Sequence, residues 1–519
     1  MYGYRTHAHV MGTTQAGKSK LVEACCRAHI ESGFGFTVLD WHGTLYRDLT
    51  EYLAYRDPRQ KVVLLNPSSG STGSTVPWNP FHFSGGDPAA FASHLVSLLA
   101  KVWGMENTND MPNFRRIAQM LFTYVAVSGE PIQTAAMLLE YQNHGARQKA
   151  LSILQDQPRA RMEMEKLQII SAKDPTVSSL KEWEWNVGST LNRLGKLLDS
   201  RALVRMFGVP SETSLDIDKA IDEKAIILVN LSASDDFDPD SAATLAALLL
   251  SEFQRVALLH AEEERPYFLY LDECQNYLTS DAARMLDQTA KAGLRLTLIH
   301  HHMGQFDDKK LIAALDMNAG IRFIFRMDDP LQATECAQEL FMSELNQEWT
   351  RRERTRFVTD YDHEQFDTRD EHDSYSDGST VYEEGASSNY SFSYGTTTHH
   401  VDRYVPRLKE ISDNPEVWSR DEKLGQLAYR LMSLQSGCCY VKTPDGTCYH
   451  EVPYVLRHWT SSDTVLRFMK TANQLSLPAD DADQIIRQQE QAFLERSRPD
   501  ASLTKKRATK RPARLHPQE

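Results

Sequence analysis

Between residues 6 and 327 short apolar runs alternate with helix-length stretches, the pattern of strands joined by crossover helices rather than of hairpins. Residues 6–11 read as a strand that runs straight into a glycine-bounded loop, and the periodicity from 18 to 32 predicts the helix that follows. A second strand at 36–40 closes a βαβ-like start, and 62–65 adds a third. Residues 66–80 are rich in Ser, Gly and Pro, read as loop, and end in Trp78-Asn79-Pro80-Phe81. Strand patterning returns at 225–231, 267–272, 295–300 and 322–327, each pair separated by a helix-length segment. This alternation predicts an α/β fold with a mostly parallel, helix-covered sheet.

The block from 89 to 207 has helical periodicity and few strand signals, with Ile117, Leu121 and Val125 along one face, so an all-helical insertion carried by the sheet is expected. From 357 to 401 the chain becomes acidic and then Ser/Tyr/Gly/Thr-rich, as in Ser374-Tyr375-Ser376-Asp377-Gly378-Ser379. So little there is apolar that the segment reads as a disordered excursion. Residues 405–458 look like a small ordered unit returning to the core. An amphipathic helix near 483–496 precedes a basic tail, Lys505-Lys506-Arg507 and Lys510-Arg511-Pro512-Ala513-Arg514. The resulting plan is a nucleotide-binding domain in two parts, 1–88 and 216–356, with the insertion at 89–215, the excursion at 357–401, the return at 402–460 and the terminal helix and tail at 461–519. No internal repeat stands out.

Gly12-Thr13-Thr14-Gln15-Ala16-Gly17-Lys18-Ser19 matches G-x-x-x-x-G-K-[ST] between a strand and a helix, the context that phosphate binding requires. Backbone N–H groups at a helix start cradle phosphate oxygens, Lys18 neutralises β/γ charge, and the Ser19 hydroxyl ligates Mg²⁺, which makes ATP with Mg²⁺ the expected ligand. Such a loop needs an acidic strand end, and Phe268-Leu269-Tyr270-Leu271-Asp272-Glu273 supplies one, with Asp272 for the metal and Glu273 to activate water. His300-His301-His302 follow the next strand, where a polar side chain at the tip can sense the γ-phosphate; neighbours on a strand point to opposite faces, so the triplet is a poor cage for one metal ion. Arg326 is a candidate arginine finger, with Arg322 on the same strand face as runner-up. Asp40-Trp41-His42-Gly43 lies at the carboxyl edge of the second strand; it can border the nucleotide, though a turn is a sufficient explanation. The basic tail can attract DNA phosphates or be a solvated terminus.

Composition narrows the setting. The 519 residues exceed one simple core, and two or three domains are expected. A formal charge of -14 rules out a generally cationic surface, so nucleic-acid contact has to be local. Seven cysteines without a secretory leader fit a reducing cytoplasm. No apolar run approaches the roughly 20 residues of a membrane span, so no direct membrane insertion is expected.

With these residues in hand the chain resembles the HerA/FtsK superfamily of hexameric P-loop ATPases, and most of all the TraD/TraG-type coupling proteins of conjugation and type IV secretion. The resemblance spans residues 7–330 and rests on the Gly12 to Ser19 loop, Val38-Leu39-Asp40-Trp41-His42-Gly43, Trp78-Asn79-Pro80-Phe81, the helical insertion, Leu269-Tyr270-Leu271-Asp272-Glu273-Cys274-Gln275-Asn276, and Gly304-Gln305. It implies a RecA-like (additional-strand) fold and a homohexameric ring with nucleotide between subunits and DNA in the channel. Two departures are visible: His300-His301 stand where the family places an Asn-Gln sensor pair, making His301 the sensor candidate, and Ala290-Lys291 replace the usual Arg-Lys pair. The motif begins at Gly12, so a transmembrane anchor is not expected, and any docking at the inner membrane would need another protein. Three functions remain open at this point: a DNA translocase in conjugation-like transfer or in mobile-element or defence DNA processing, a nucleotide-switched ring scaffold recruiting a nuclease or other effector, and a packaging or secretion ATPase.

Overall fold

The computed structural model describes residues 6–67, 73–83, 85–105, 112–171, 175–209, 214–306, 308–347, 349–352, 355–368, 399–412, 416–456, 460–472 and 474–497. Two compact units are present, one built from residues 1–336 with 428–519, the other from 337–427.

The first unit is organised by a nine-stranded sheet: β1 (Ala8–Met11), β2 (Phe36–Asp40), β3 (Val62–Leu65), β4 (Ile226–Asn230), β5 (Tyr267–Leu271), β6 (Leu294–His300), β7 (Ile321–Ile324), β8 (Cys438–Thr443) and β9 (Gly446–Glu451). Their order is β9-β8-β7-β1-β6-β5-β2-β4-β3. The seven strands from β7 to β3 are parallel, while β8 and β9 form a hairpin that joins β7 antiparallel, with Val441 opposite Phe323. This is the RecA-like P-loop NTPase architecture, with the long strand runs buried on both faces as parallel sheets require.

Strand alternation sorts the apolar side chains into two cores. Val38, Ile226, Leu228 and Tyr270 face the layer made by α1 (Lys18–Ser32) and α2 (Thr44–Arg56); Leu39, Ile227, Val229 and Leu271 face the other side. That second core is continuous with the helical block: Phe114, Leu121, Trp183 and Phe207 belong to the same cluster as Leu271 and Leu298. Trp78-Asn79-Pro80-Phe81 is where the block is anchored. Trp78 and Phe81 are buried edge-to-face against Phe207, Phe81 stacks on Phe122, and the Trp78 N–H donates to Met206 O at 2.9 Å. Among the described residues one helix, Pro239–Leu259, is long and apolar enough to cross a membrane, with mean hydropathy 1.4, against the expectation that no apolar run approaches that length; it is 67% buried as a core helix.

Arg147 is the largest fully buried side chain of the block. Its guanidinium donates to Leu138 O, Glu140 O and Tyr141 O at 2.8, 2.5 and 2.7 Å and sits 4.7 Å over the Trp183 ring. The terminal helix Ala479–Ser497 is fastened to the same block by a two-pronged ion pair, Arg205 Nε and Nη2 on Asp483 at 2.7 and 2.8 Å.

In the second unit, Thr355–Thr368 pairs antiparallel with His399–Ser412, and Thr350–Arg352 with Glu416–Val417. Strand residues therefore occupy both ends of the segment whose composition reads as a disordered excursion. Its middle, 369–398, and the basic tail, 505–514, lie outside the described residues.

Candidate nucleotide site

The conformation of the Gly12 to Ser19 loop is set by two glycines. Gly12 has φ 150°, and a Cβ there would stand 2.5 Å from Phe325 Cβ; Gly17, the N-cap of α1, has φ 112°, and its Cβ would meet the Gly437 backbone at 2.9 Å. Gln15 also adopts a left-handed conformation, φ 61°, which costs a non-glycine residue energy unless neighbours hold it. The loop is tied down at its start by Gly12 N–H to His301 O at 3.2 Å and Thr13 N–H to Arg326 O at 2.9 Å. Among the described residues the N–H groups of Thr14, Gln15, Gly17, Lys18 and Ser19 find no protein acceptor. A run of unpaired donors at a helix N-terminus fits an oxyanion-rich phosphate chain.

Lys18 is buried, and its ammonium donates to Gly12 O at 2.6 Å, Thr13 O at 3.0 Å and His301 Nδ1 at 3.1 Å. Burial lowers its pKa, while Glu273 and Asp272 pull it up. His301 continues the chain: Nε2 lies 3.0 Å from Glu273 Oε1. Its Nδ1 also faces Gly12 O at 3.3 Å. The other Glu273 oxygen accepts from Gln275 Nε2 at 2.7 Å, and Glu273 itself has φ 45°. His301 is held by Gln305, whose Oε1 accepts the His301 and His302 N–H groups at 2.9 and 3.1 Å. Gly304-Gln305, met in the sequence only as part of a resemblance, thus fastens the turn that carries the sensor candidate.

Asp272 follows β5 and Asp40 ends β2, and the register Leu39 to Leu271 makes the two carboxylates neighbours at one sheet edge. Asp40 is consumed locally: its oxygens accept the His42 and Tyr46 N–H groups at 3.1 and 2.7 Å, which starts α2. Asp272 accepts only the Glu273 N–H among the described residues, and burial, then Asp40, then Glu273, push its carboxyl up to about 7 against the pull of Lys18 and of that bond. Asp272 and Glu273 act on one buried ammonium and Asp40 acts on Asp272; among the described residues no three ligating side chains form a closed cage, so the set suits a cation held by one or two carboxylates together with phosphate oxygens. The Asp40-Trp41-His42-Gly43 turn does border the site, with His42 Nε2 at 4.0 Å from Glu273.

The three histidines diverge. His300 is fully buried and stacks on His9 with ring centroids 4.5 Å apart and Nε2 facing Nε2, and burial holds both well below the usual imidazole range. The carbonyl of Arg326 binds its own chain's loop, while its side chain, partly exposed, lies 3.4 Å from Asp328. Arg322 is turned to the helix Lys309–Asn318, donating to Asp316 O at 2.6 Å. Neither Ser436 nor Gly437 carried a sequence signal, yet both touch the loop: Ser436 Oγ donates to Gln15 O at 2.7 Å and the Gly437 N–H to Ala16 O at 2.8 Å.

The fold and this edge of the sheet define a P-loop NTPase architecture. No family model and no curated protein matches the sequence. Solved structures do. The conjugative coupling protein TrwBΔN70, unbound, shares the fold with a TM-score of 0.51, 13% identity, and coverage of 88% of this chain and 87% of that one. TrwB in complex with ADP and Mg²⁺ superposes with a TM-score of 0.52 at 13% identity over 92% of this chain and 88% of that one. The chain therefore shares the fold of the coupling protein TrwB, a P-loop NTPase fold.

Proposed function

We propose that this protein hydrolyses ATP with Mg²⁺ and uses the energy to move DNA, working as a homohexameric ring in conjugation-like transfer or in processing of mobile-element or foreign DNA. The Lys18–His301–Glu273 chain at the tip of three strands carries the reading. In it, the Gly12 to Ser19 loop binds the phosphates, Lys18 exchanges its carbonyl partners for phosphate oxygens, and Glu273 accepts a proton from the attacking water. His301 links these two and senses the γ-phosphate; Arg326 supplies a finger. Ser19 and Asp272 would hold Mg²⁺, which supplies charge neutralisation at the phosphate oxygens. The fold shared with TrwB, one structure of which contains ADP and Mg²⁺, supports the nucleotide assignment, and its description as a coupling protein supports DNA and a secretion-system component as partners. A cytoplasmic location, with docking at the inner membrane through a partner, goes with this reading.

The test is the ATPase rate with and without single- and double-stranded DNA at several salt concentrations, with Glu273→Gln as the blank. Salt-sensitive stimulation by DNA is expected. Hydrolysis indifferent to every form of DNA would transfer support to a second reading, a nucleotide-switched scaffold for a nuclease or other effector. The imidazole at the sensor position favours that alternative.

A further inference from the structure

Lys18 and the turn that precedes β8 each engage two carbonyls of the Gly12 to Ser19 loop. Lys18 takes Gly12 O and Thr13 O. Gln15 O and Ala16 O are taken by the turn that precedes β8, through the Ser436 hydroxyl and the Gly437 N–H. The fit is close: Gly437 has φ 84°, and its backbone leaves no room for a side chain on Gly17. The turn is itself pinned, since Gly437 O accepts at 2.8 Å the N–H of Val452, the residue just past the end of β9.

These two sets of bonds respond differently to nucleotide. A phosphate chain competes for the Lys18 ammonium, so the bonds to Gly12 O and Thr13 O are lost when Lys18 turns to it. The bonds from Ser436 and Gly437 approach from the carbonyl side and do not compete with phosphate for the loop N–H groups. They also hold the carbonyl of Gln15, the residue with the unfavourable φ. We infer that Ser436 and Gly437 are positioning residues of the nucleotide site, a latch that keeps the loop in its anion-binding shape while Lys18 is drawn away. This rests on the nucleotide reading above, and it assigns a function to a turn more than 400 residues from the loop.

The experiment uses the full chain with Ser436→Ala, Ser436→Thr and Gly437→Ala, each checked for an unchanged melting profile. Binding of a fluorescent ATP analogue, KM and kcat, and hydrogen–deuterium exchange of the peptide covering 12–19 without nucleotide are measured. Ser436→Ala should weaken nucleotide binding and raise KM roughly three- to tenfold, the worth of one net hydrogen bond, with kcat within twofold. Exchange at 12–19 should quicken, and Ser436→Thr should restore all three. Should Gly437→Ala not fold, Ser436→Ala decides alone. Affinity and exchange both equal to the unsubstituted protein would overturn the latch. If the unsubstituted chain binds no nucleotide, the reading of the site fails separately, and exchange at 12–19 still distinguishes a braced loop from an unbraced one.

Discussion

His301 Nε2 lies 3.0 Å from Glu273 Oε1, and the other nitrogen of the same ring, Nδ1, lies 3.1 Å from Lys18 Nζ. One imidazole therefore joins the phosphate-binding lysine to the carboxylate proposed to activate water. Movement of Lys18 onto a phosphate leaves Gly12 O as the group at Nδ1 and changes how firmly His301 is held beside Glu273. Glu273→Gln should retain nucleotide and lose turnover by about 10²- to 10⁴-fold, the usual worth of a general base. His301→Ala should lower kcat with little change in ADP affinity. Equal kcat for His301→Ala and the unsubstituted protein would remove His301 from the mechanism.

Lys18→Ala removes the ammonium that acts on Asp272 and Glu273. Equilibrium titration with a fluorescent nucleotide should show affinity reduced by a factor of about ten or more, as expected for loss of a charge-assisted bond. Undiminished binding would show that the phosphates lie elsewhere.

Arg326→Ala should leave nucleotide bound and depress turnover of the assembled protein by about 10³-fold or more if the finger assignment holds. Mixing Arg326→Ala with Lys18→Ala subunits locates its action. Recovery of ATPase activity in mixed rings places the arginine on a neighbour's nucleotide. The absence of recovery at any ratio points to its own chain, whose Thr13 N–H already binds Arg326 O at 2.9 Å.

Acid should destabilise the protein earlier than its carboxylates alone would. Burial lowers His7 and His29 to about 4 and His9 to about 3 from 6.5, and His300 moves the same way. Each ring is neutral when folded, so the unfolded chain takes up protons first as pH falls. Their stabilising share is whole above about 6.5 and drains away as pH drops toward 4, at about 1.4 kcal/mol per histidine per unit. Urea midpoints at pH 7.5 and 5.5 should differ, and the double variant His29→Phe/Tyr270→Phe, which removes both ends of a buried 2.7 Å hydrogen bond, should show a smaller difference. An identical pH response in both proteins would refute the assignment for His29.

Arg147→Met should lower the melting temperature by several degrees, because it leaves the buried Leu138 O and the half-buried Tyr141 O without their donor at about 2–4 kcal/mol. Arg161→Met, which breaks only an exposed pair with Glu165, should change it by a degree or less. Calorimetry of the two variants side by side makes the comparison.

Much of the sheet was legible because strand and helix signals are local. The phosphate loop, the acidic end of β5 and the parallel strands could each be read within a few residues, since period-two and glycine patterns need no distant partner. Strand bounds shifted by one to three residues, as with 322–327 against Ile321–Ile324, where chain direction continues after ladder bonding stops. The paired stretches 355–368 and 399–412 were hidden because charged and polar side chains conceal strands whose stability comes from the partner backbone.

The sequence by itself determined the chemistry available: a loop able to bind phosphates, a carboxylate pair at a strand end, and a histidine where the resemblance places a sensor. Only the tertiary structure decided which groups meet. It spends Asp40 on a helix start and sets it beside Asp272, buries His300 against His9 while sending His301 to Glu273, and brings Ser436 onto Gln15 across 421 residues. Strand order and register set those meetings, and they follow from how all the apolar faces bury together, a property that no single segment contains.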